Sequence, residues 1–367
     1  MRPDAVVAGQ VAPDRFYGLA DTESPPIVLI PDKELDLDMR ASIIVPTRNR
    51  PLELKKSLSA IAAQTYQDIE IVVIDDGSSV ENALDNKSLV DEFGKKVAYI
   101  NLLSDGLKGN GPSYPRNVGI ERAAGELIAF CDDDDYWCDD QYIASAVNAF
   151  SADSSLDFMF ANQAAHIDGQ VVSDVWLPLL VNKLAARAES SQYGALLSKS
   201  DALTDGHAHV NTCVFRKHLL REIGGFWESV RYQEDLDLFV RAVDSARHIK
   251  YFHQTVSIHN IPDRTRSVNA STQLDSNGKA VAEADVANHL TQCCRSIEAR
   301  RYANQIGGFA YRKLALAASK AKDYRTAFIF AKVAWSWRPT VKWTGYTIFL
   351  GCKALLSSNR ALPQKHR

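Results

Sequence analysis

The sequence predicts an α/β fold: a mostly parallel sheet flanked by helices, followed by a helical C-terminal extension. Three observations predict it. Short apolar runs at 41–45, 70–74, 97–103 and 127–131 alternate with stretches of helical period. Those runs are apolar on both faces, as strands covered from both sides are. Beyond residue 269 the chain is alanine-rich and helical in period as far as Trp337.

The 367 residues suit about two domains, and 46% hydrophobic with 24% charged side chains can build a core. The expected divisions are an N-terminal extension at 1–40, a domain at 41–265 with halves 41–137 and 138–265, and a basic helical region at 266–367. The net charge of −3 is unevenly placed: 321–367 holds nine Lys or Arg against Asp323 alone, so this tail is +8 and the rest −11. That asymmetry points to an anionic partner for the C-terminus. Six cysteines lack zinc or disulfide-framework spacing, so reduced thiols in a cytoplasmic protein are expected. No stretch reaches the ~18 apolar residues that a membrane span needs. Nucleic acid is not an expected partner.

Taken in order, 1–40 is rich in Pro and acid and carries no motif. Strand 41–45 (ASIIV) ends at Pro46. Asn49 or Arg50 opens a helix with Pro51 in its first turn, where a missing N–H does no harm, and Leu54, Leu58 and Ile61 form its buried stripe. Strand 70–74 (EIVVI) ends in Asp75, Asp76, Gly77, Ser78 and Ser79. Strand 97–103 leads to a loop with Gly106, Gly109 and Gly111, which matches neither a dinucleotide fingerprint nor a Gly-Lys-Ser/Thr phosphate loop. A helix from Ser113 carries Arg116 and Asn117 in its first turn and stops at Gly125, where strand 127–131 begins. Asp139 and Asp140 suit the start of the next helix, buried through Ile143, Val147 and Phe150.

The pattern at 156–209 is irregular, as in a substrate-shaped insertion or an extension of the sheet. Strand 210–215 and helix 216–223 follow, stopped by Gly224 and Gly225. Leu236, Phe239, Val240 and Val243 then mark a buried helical stripe that Asp235 extends at its open end. Asp237 precedes Arg241 by one turn and reads as a surface ion pair. A strand at 249–259 and a tetratricopeptide-style helical hairpin at 314–339 complete the chain.

Chemistry concentrates where strand 127–131 runs into Asp132, Asp133, Asp134 and Asp135. Carboxylates this close repel one another, and at the end of a buried strand they cannot all be solvated. A divalent cation answers the problem: Mg²⁺ or Mn²⁺ takes one or two carboxylates and leaves sites for phosphate oxygens. Open α/β sheets bind ligands at the carboxyl ends of their strands. The competing reading is a solvated acidic turn capping the following helix. Asp235, on the buried side of a helix start, either faces a cleft or bonds free backbone N–H groups.

Four blocks occur in order: SIIVPTRNR from 42, EIVVIDDGSS from 70, GPSYPRNVGIERAAGELIAFCDDDDYW from 111 and GGFWESVRYQEDLDLFVRA from 224. Together they resemble family 2 glycosyltransferases of the GT-A (Rossmann-like) fold, over 41–265. The resemblance implies transfer of a sugar from a nucleotide diphosphate, UDP favoured, to an acceptor hydroxyl in polysaccharide or glycoconjugate synthesis. It implies nucleotide contacts from Pro46, Thr47, Arg48, Asp75 or Asp76, Arg116, Asp132 and Asp133. A Mn²⁺ or Mg²⁺ ion would be held by Asp134 and His259, with the choice among Asp133, Asp134 and Asp135 open. Asp235 is implied as the base of an inverting, metal-dependent reaction, with Glu234 and Trp227 toward the acceptor and Arg264 and Arg266 toward the diphosphate. A saccharide or lipid-linked acceptor is expected. The basic tail, with Trp335, Trp337, Trp343 and Tyr346, would lie peripherally on an anionic inner membrane face. The alternatives are a retaining transferase and a non-catalytic nucleotide-sugar-binding or scaffold protein.

Overall fold

The computed structural model describes residues 39–102, 109–187, 194–261 and 274–359. Ten strands among them form one sheet: β1 (Ala41–Thr47), β2 (Ile69–Asp75), β3 (Val97–Asn101), β4 (Leu127–Phe130), β5 (Tyr136–Trp137), β6 (Leu156–Ile167), β7 (Gln170–Ser173), β8 (Ala195–Leu197), β9 (Cys213–Arg216) and β10 (His248–Asn260). Their order is β3-β2-β1-β4-β9-β6-β10-β5, with β7 on β6 and β8 on β10. The β3-β2-β1-β4 half is parallel. Strand β9 then runs antiparallel to both β4 and β6, and β6 and β10 pair parallel again.

Both faces of the sheet are covered, which is why its first strands are continuously apolar. Ile43 and Val45 of β1 pack with Leu54 and Leu58 of α1 (Pro51–Ala62) and with Val147 and Phe150 of α4 (Tyr142–Ala152). Ile44, on the opposite side, joins Ile120 of α3 (Ser113–Arg122) and Phe239 and Val243 of the helix at Glu234–Ser245. In chain order the helices between are α2 (Val80–Glu92), α5 (Pro178–Ala185), α6 (Lys199–Ala202) and α7 (Lys217–Glu222), which makes Glu234–Ser245 α8.

The irregular stretch at 156–209 contains a central strand, β6, twelve residues long. Its pattern is hidden because polar side chains are buried within it: Gln163 makes no side-chain hydrogen bond among the described residues, whereas Asp157 and Asn162 are paired there. Asp157 accepts from Arg247, and the Asn162 amide bonds Asp174 O, Thr255 Oγ1 and the Trp176 N–H.

Four further helices follow: α9 (Ser276–Cys293), α10 (Ile297–Lys320), α11 (Tyr324–Trp337) and α12 (Val341–Asn359). Val286 and Leu290 of α9 and Ala299 and Ala303 of α10 enter the same apolar cluster as α8. The outer ends of α10, α11 and α12 build a small cluster of their own around Ala315, Ala331, Trp343 and Leu350. The N-terminal extension, Gly106, Arg264, Arg266 and the boundary expected at 265 lie outside the described residues.

One expectation is overturned here. Asp237 and Arg241 are not a surface pair: Asp237 is fully buried and Arg241 nearly so. The reason is the cover of α9, which the periodicity of α8 alone does not announce. Arg241 Nε donates to Asp237 Oδ2 at 2.7 Å and Arg241 Nη1 to Ile223 O at 2.7 Å. His289 Nδ1 of α9 meets Asp237 Oδ1 at 2.7 Å, and the Trp227 ring stacks on His289 at 4.1 Å. Burial disfavours charge on His289, but Asp237 and the Cys293 sulfur outweigh it and raise its pKa from 6.5 to about 9.

Removing one member of a buried ion pair strands the other, so Asp237→Ala is expected to cost about 3–5 kcal/mol in denaturant or thermal unfolding. A variant as stable as the wild type would refute this linkage. Because the folded-state pKa of His289 is raised, its contribution is complete below about 6.5 and is lost as pH rises through about 9. His289→Gln should flatten that alkaline loss.

Candidate active site

The four aspartates after β4 each meet a different set of partners. Asp132 accepts from Arg116 Nη2, which lies in the first turn of α3. Asp133 accepts from Thr47 Oγ1 at 2.8 Å and from Arg50 Nη1 at 3.0 Å, and the same Arg50 nitrogen reaches Asp134 Oδ2 at 2.8 Å. Asp135 turns the other way and is buried against Asn211 Nδ2 at 2.7 Å, His259 Nδ1 at 2.9 Å and the Asn260 N–H at 2.8 Å. The repulsion is therefore divided between two arginines on one side and a histidine with amide donors on the other.

Burial sets the charge balance first and neighbours decide its sign. Burial opposes ionisation of Asp132, yet Arg116 and two histidines outweigh it and hold that carboxyl below the usual range. Asp133 is pushed up by burial, against the pull of Arg50 and Thr47. Asp134 is pushed up by burial and by Asp133 and Asp135.

The sheet builds the histidine side. Strand β5 pairs antiparallel with β10, setting Tyr136 opposite Ile258, so that His259 stands next to Asp135. Asn211 is held between the strands: its Oδ1 accepts from the Asp132 N–H at 2.9 Å, and its carbonyl accepts from Trp137 Nε1 at 2.8 Å. The His209 ring lies 4.8 Å from the His259 ring, and Trp176 packs edge-on to both. One ligand atom each from Asp135, His209 and His259 lie within 4.8 Å of one another. A carboxylate offers about four acceptor positions, and three of Asp135's are used, so one remains for a cation. Two imidazoles beside one carboxylate suit Mn²⁺ better than Mg²⁺, which favours oxygen donors.

Beside the acidic run, Pro46 and Thr47 end β1. Asp75 is fully buried and accepts from the Ser78 N–H at 2.8 Å, Asn86 Nδ2 at 2.9 Å and Tyr99 OH at 2.6 Å. Asp76 latches the loop after β3 by accepting from the Asn110 N–H at 2.9 Å and the Gly111 N–H at 3.2 Å. That loop comes so close that a Cβ at Gly109 would collide with Asp76 Oδ2 and crowd Arg48.

The opposite wall is the start of α8, entered through Gln233 at φ 67. Asp235 Oδ1 accepts from the Leu236 N–H at 2.8 Å, and Asp235 Oδ2 meets His207 Nε2 at 3.0 Å. Arg116 Nη1 lies 3.6 Å from Glu234 Oε1, so one guanidinium joins the acidic run to the first turn of α8. Burial and Asp235 push the Glu234 carboxyl up, while His207 overcomes burial and keeps Asp235 ionised far below the usual range. Two adjacent carboxylates are thereby driven apart in proton affinity, as in acid–base sites.

A family model described as Glycosyl transferase family 2 matches residues 42–224, the stretch that carries both β1 and the acidic run. The chain belongs to glycosyltransferase family 2. Among its relatives, GalNAc(5)-diNAcBac-PP-undecaprenol beta-1,3-glucosyltransferase of Campylobacter jejuni is 38% identical over 96 residues, 26% of this chain and 30% of that protein. The uncharacterized glycosyltransferase YwdF of Bacillus subtilis is 28% identical over 211 residues, 57% of this chain and 70% of its own length. Among solved structures, S. aureus TarS 1–349 in complex with UDP-GlcNAc superposes with a TM-score of 0.61 at 18% identity, covering 86% of this chain and 88% of that one. Mannosyltransferase PcManGT from Pyrobaculum calidifontis, in complex with GDP-Man and Mn²⁺, gives 0.53 at 16% identity, covering 91% of both chains. The likeness of these structures confirms the GT-A fold of this family 2 chain.

Hydrogen bonds and ion pairs join Thr47, Arg116, Asp132, Asp133, Asp134, Glu234 and His259 into one network, with Asp235 next to Glu234, while Asp75 faces inward and Trp227 lies against His289. Arg50, His207, His209, Asn211 and Asn260 had drawn no functional reading from the sequence. The alternation His207-Ala208-His209 is a signal nonetheless, since residues two apart in extended backbone share one side; Asn211 follows in the 3₁₀ turn Val210–Thr212. For the cation cluster, His209→Ala is expected to weaken Mn²⁺ binding to the full chain at least about tenfold by calorimetric titration. Equal affinity in wild type and variant would remove His209 from the site.

Proposed function

We propose that this chain moves a sugar from a nucleotide-diphosphate donor, preferentially a UDP-sugar, to an acceptor hydroxyl with inversion at the anomeric carbon. The observation that carries the reading is the Arg116 bridge: it sets Asp132 of the donor side and Glu234 of the acceptor side on one guanidinium, with Asp235 next in chain. Thr47, Arg48, Arg116 and Asp132 bind the nucleotide and diphosphate, with Asp76 holding the loop beside the base. Asp135, His209 and His259 would hold Mn²⁺, with Asp134 beside them. The bound cation supplies positive charge for the departing diphosphate.

Asp235 then accepts the acceptor's proton as the new glycosidic bond forms on the face opposite the leaving group. His207 fixes the Asp235 carboxylate through Oδ2, and Glu234 orients the acceptor. The match to the Campylobacter relative spans only 30% of that protein's length, but its name identifies a lipid-linked acceptor, PP-undecaprenol. That supports a polyprenyl-linked or saccharide acceptor here, in polysaccharide or glycoconjugate synthesis at the cytoplasmic side of a membrane.

The test is a screen of UDP-, GDP- and dTDP-sugars with and without Mn²⁺, followed by Asp235→Asn and Glu234→Gln on the best donor. Asp235→Asn should retain donor affinity and lose about 10²–10⁴-fold in turnover. Full turnover by Asp235→Asn together with loss in Glu234→Gln would transfer the base role to Glu234. Donor binding without hydrolysis or transfer to any acceptor would instead favour a binding protein, and retention of configuration in the product, read by NMR, would overturn inversion.

A further inference from the structure

We propose that the outer face of α12 docks on an anionic lipid surface. The inference deepens the proposed use of a membrane-borne acceptor, but its support is the surface of the C-terminal helices themselves. Val341, Ile348 and Leu355 recur every seven residues along α12, and Phe349 and Leu356 widen the same strip. These five side chains are between 48% and 93% exposed. At 100° per residue they span more than a quarter of the helix circumference, wider than the two-position seam of a coiled coil. The opposite side of α12 is satisfied within the protein, where Trp343 and Leu350 are buried among Ala327, Ala331 and Ala334. Trp335 of α11 extends the strip: its Nε1 donates to Thr344 Oγ1 at 2.8 Å, which lays the indole beside α12 with 44% of its area exposed.

Charge selects the occupant. Lys342 and Lys353 are exposed on one border of the strip, Lys332 is exposed on α11 and Arg338 is exposed at its C-terminal cap. From 321 to 367 the only acid is Asp323. A second copy of the chain packed on this strip by a two-fold axis near Ile348 would set Lys342 of one copy close to Lys353 of the other, like charge against like. An anionic headgroup layer complements the same lysines, while Trp335, Ile348 and Leu355 enter the acyl boundary beneath it. Among the described residues no helix is long and apolar enough to cross a membrane, so this mode of binding lies in the interface plane.

The test is sedimentation of the full chain with vesicles of phosphatidylcholine alone and with about one-third phosphatidylglycerol, a fraction chosen to give a strongly negative surface. The wild type should partition onto the anionic vesicles, less so as salt rises. Ile348→Glu/Leu355→Glu and, separately, Lys342→Glu/Lys353→Glu should each reduce partitioning at least about tenfold. Because the substituted side chains are exposed, thermal midpoints near the wild-type value are expected and mark both variants as folded. Indifference of the wild type to anionic vesicles, or unchanged binding by both folded variants, overturns the proposal. So does a concentration-dependent dimer in light scattering that Ile348→Glu/Leu355→Glu dissolves. Donor hydrolysis without vesicles should be unchanged in these variants, so failure of lipid docking and failure of the transferase reading are separately visible.

Discussion

Four carboxylates in succession at the end of a buried strand are the constraint from which the site grows. No single partner neutralises them. Arg116 takes Asp132, Arg50 takes Asp133 and Asp134 together, and Asp135 turns into a shell of His259, Asn211 and Asn260. Each partner comes from a different element, so the acidic run pulls α3, the entry to α1, the turn before β9 and the end of β10 into one place. Breaking any of these pairs leaves a carboxylate in a poorly solvated environment, which is why the cleft has to be assembled as a unit.

The same electrostatics separates tasks. In the acidic run, charges are matched so that Asp132 stays ionised beside Arg116. At the start of α8, Glu234 and Asp235 share a boundary and cannot both ionise freely; His207 decides the contest in favour of Asp235. Arg116 spans the two, so the acidic run and the first turn of α8 are tied to one guanidinium. A lysine there would offer a point charge without the planar fork that reaches two carboxylates from separate nitrogens.

Much of this was legible in the chain. Continuous apolar runs located β1, β2 and β4, because strands covered on both faces leave a pattern that needs no tertiary information. The acidic run and the Glu-Asp pair were visible as residue types at strand and helix ends. Much of what stayed hidden has one physical cause: buried polar side chains paired with distant partners. Asn162 inside β6 breaks the apolar pattern because its amide is paired with Asp174 and Trp176, and Asp237 reads as solvated because α9, fifty residues later, covers it. His209 went unread for a related reason, since its partners Asp135 and His259 converge only when β5 pairs with β10.

Helix α8 carries Glu234 and Asp235 in its first turn, and Asp237, two residues on, is clasped by His289 from beneath. The C-terminal helices are thus part of the mounting of the Asp235 carboxylate. A buried ion pair less than one helical turn away links them to it, beside the apolar packing of α9 and α10 on α8. Whatever fixes that bundle in space also fixes the direction in which the Asp235 carboxylate is presented, so the setting of that one side chain is a property of helices fifty residues away.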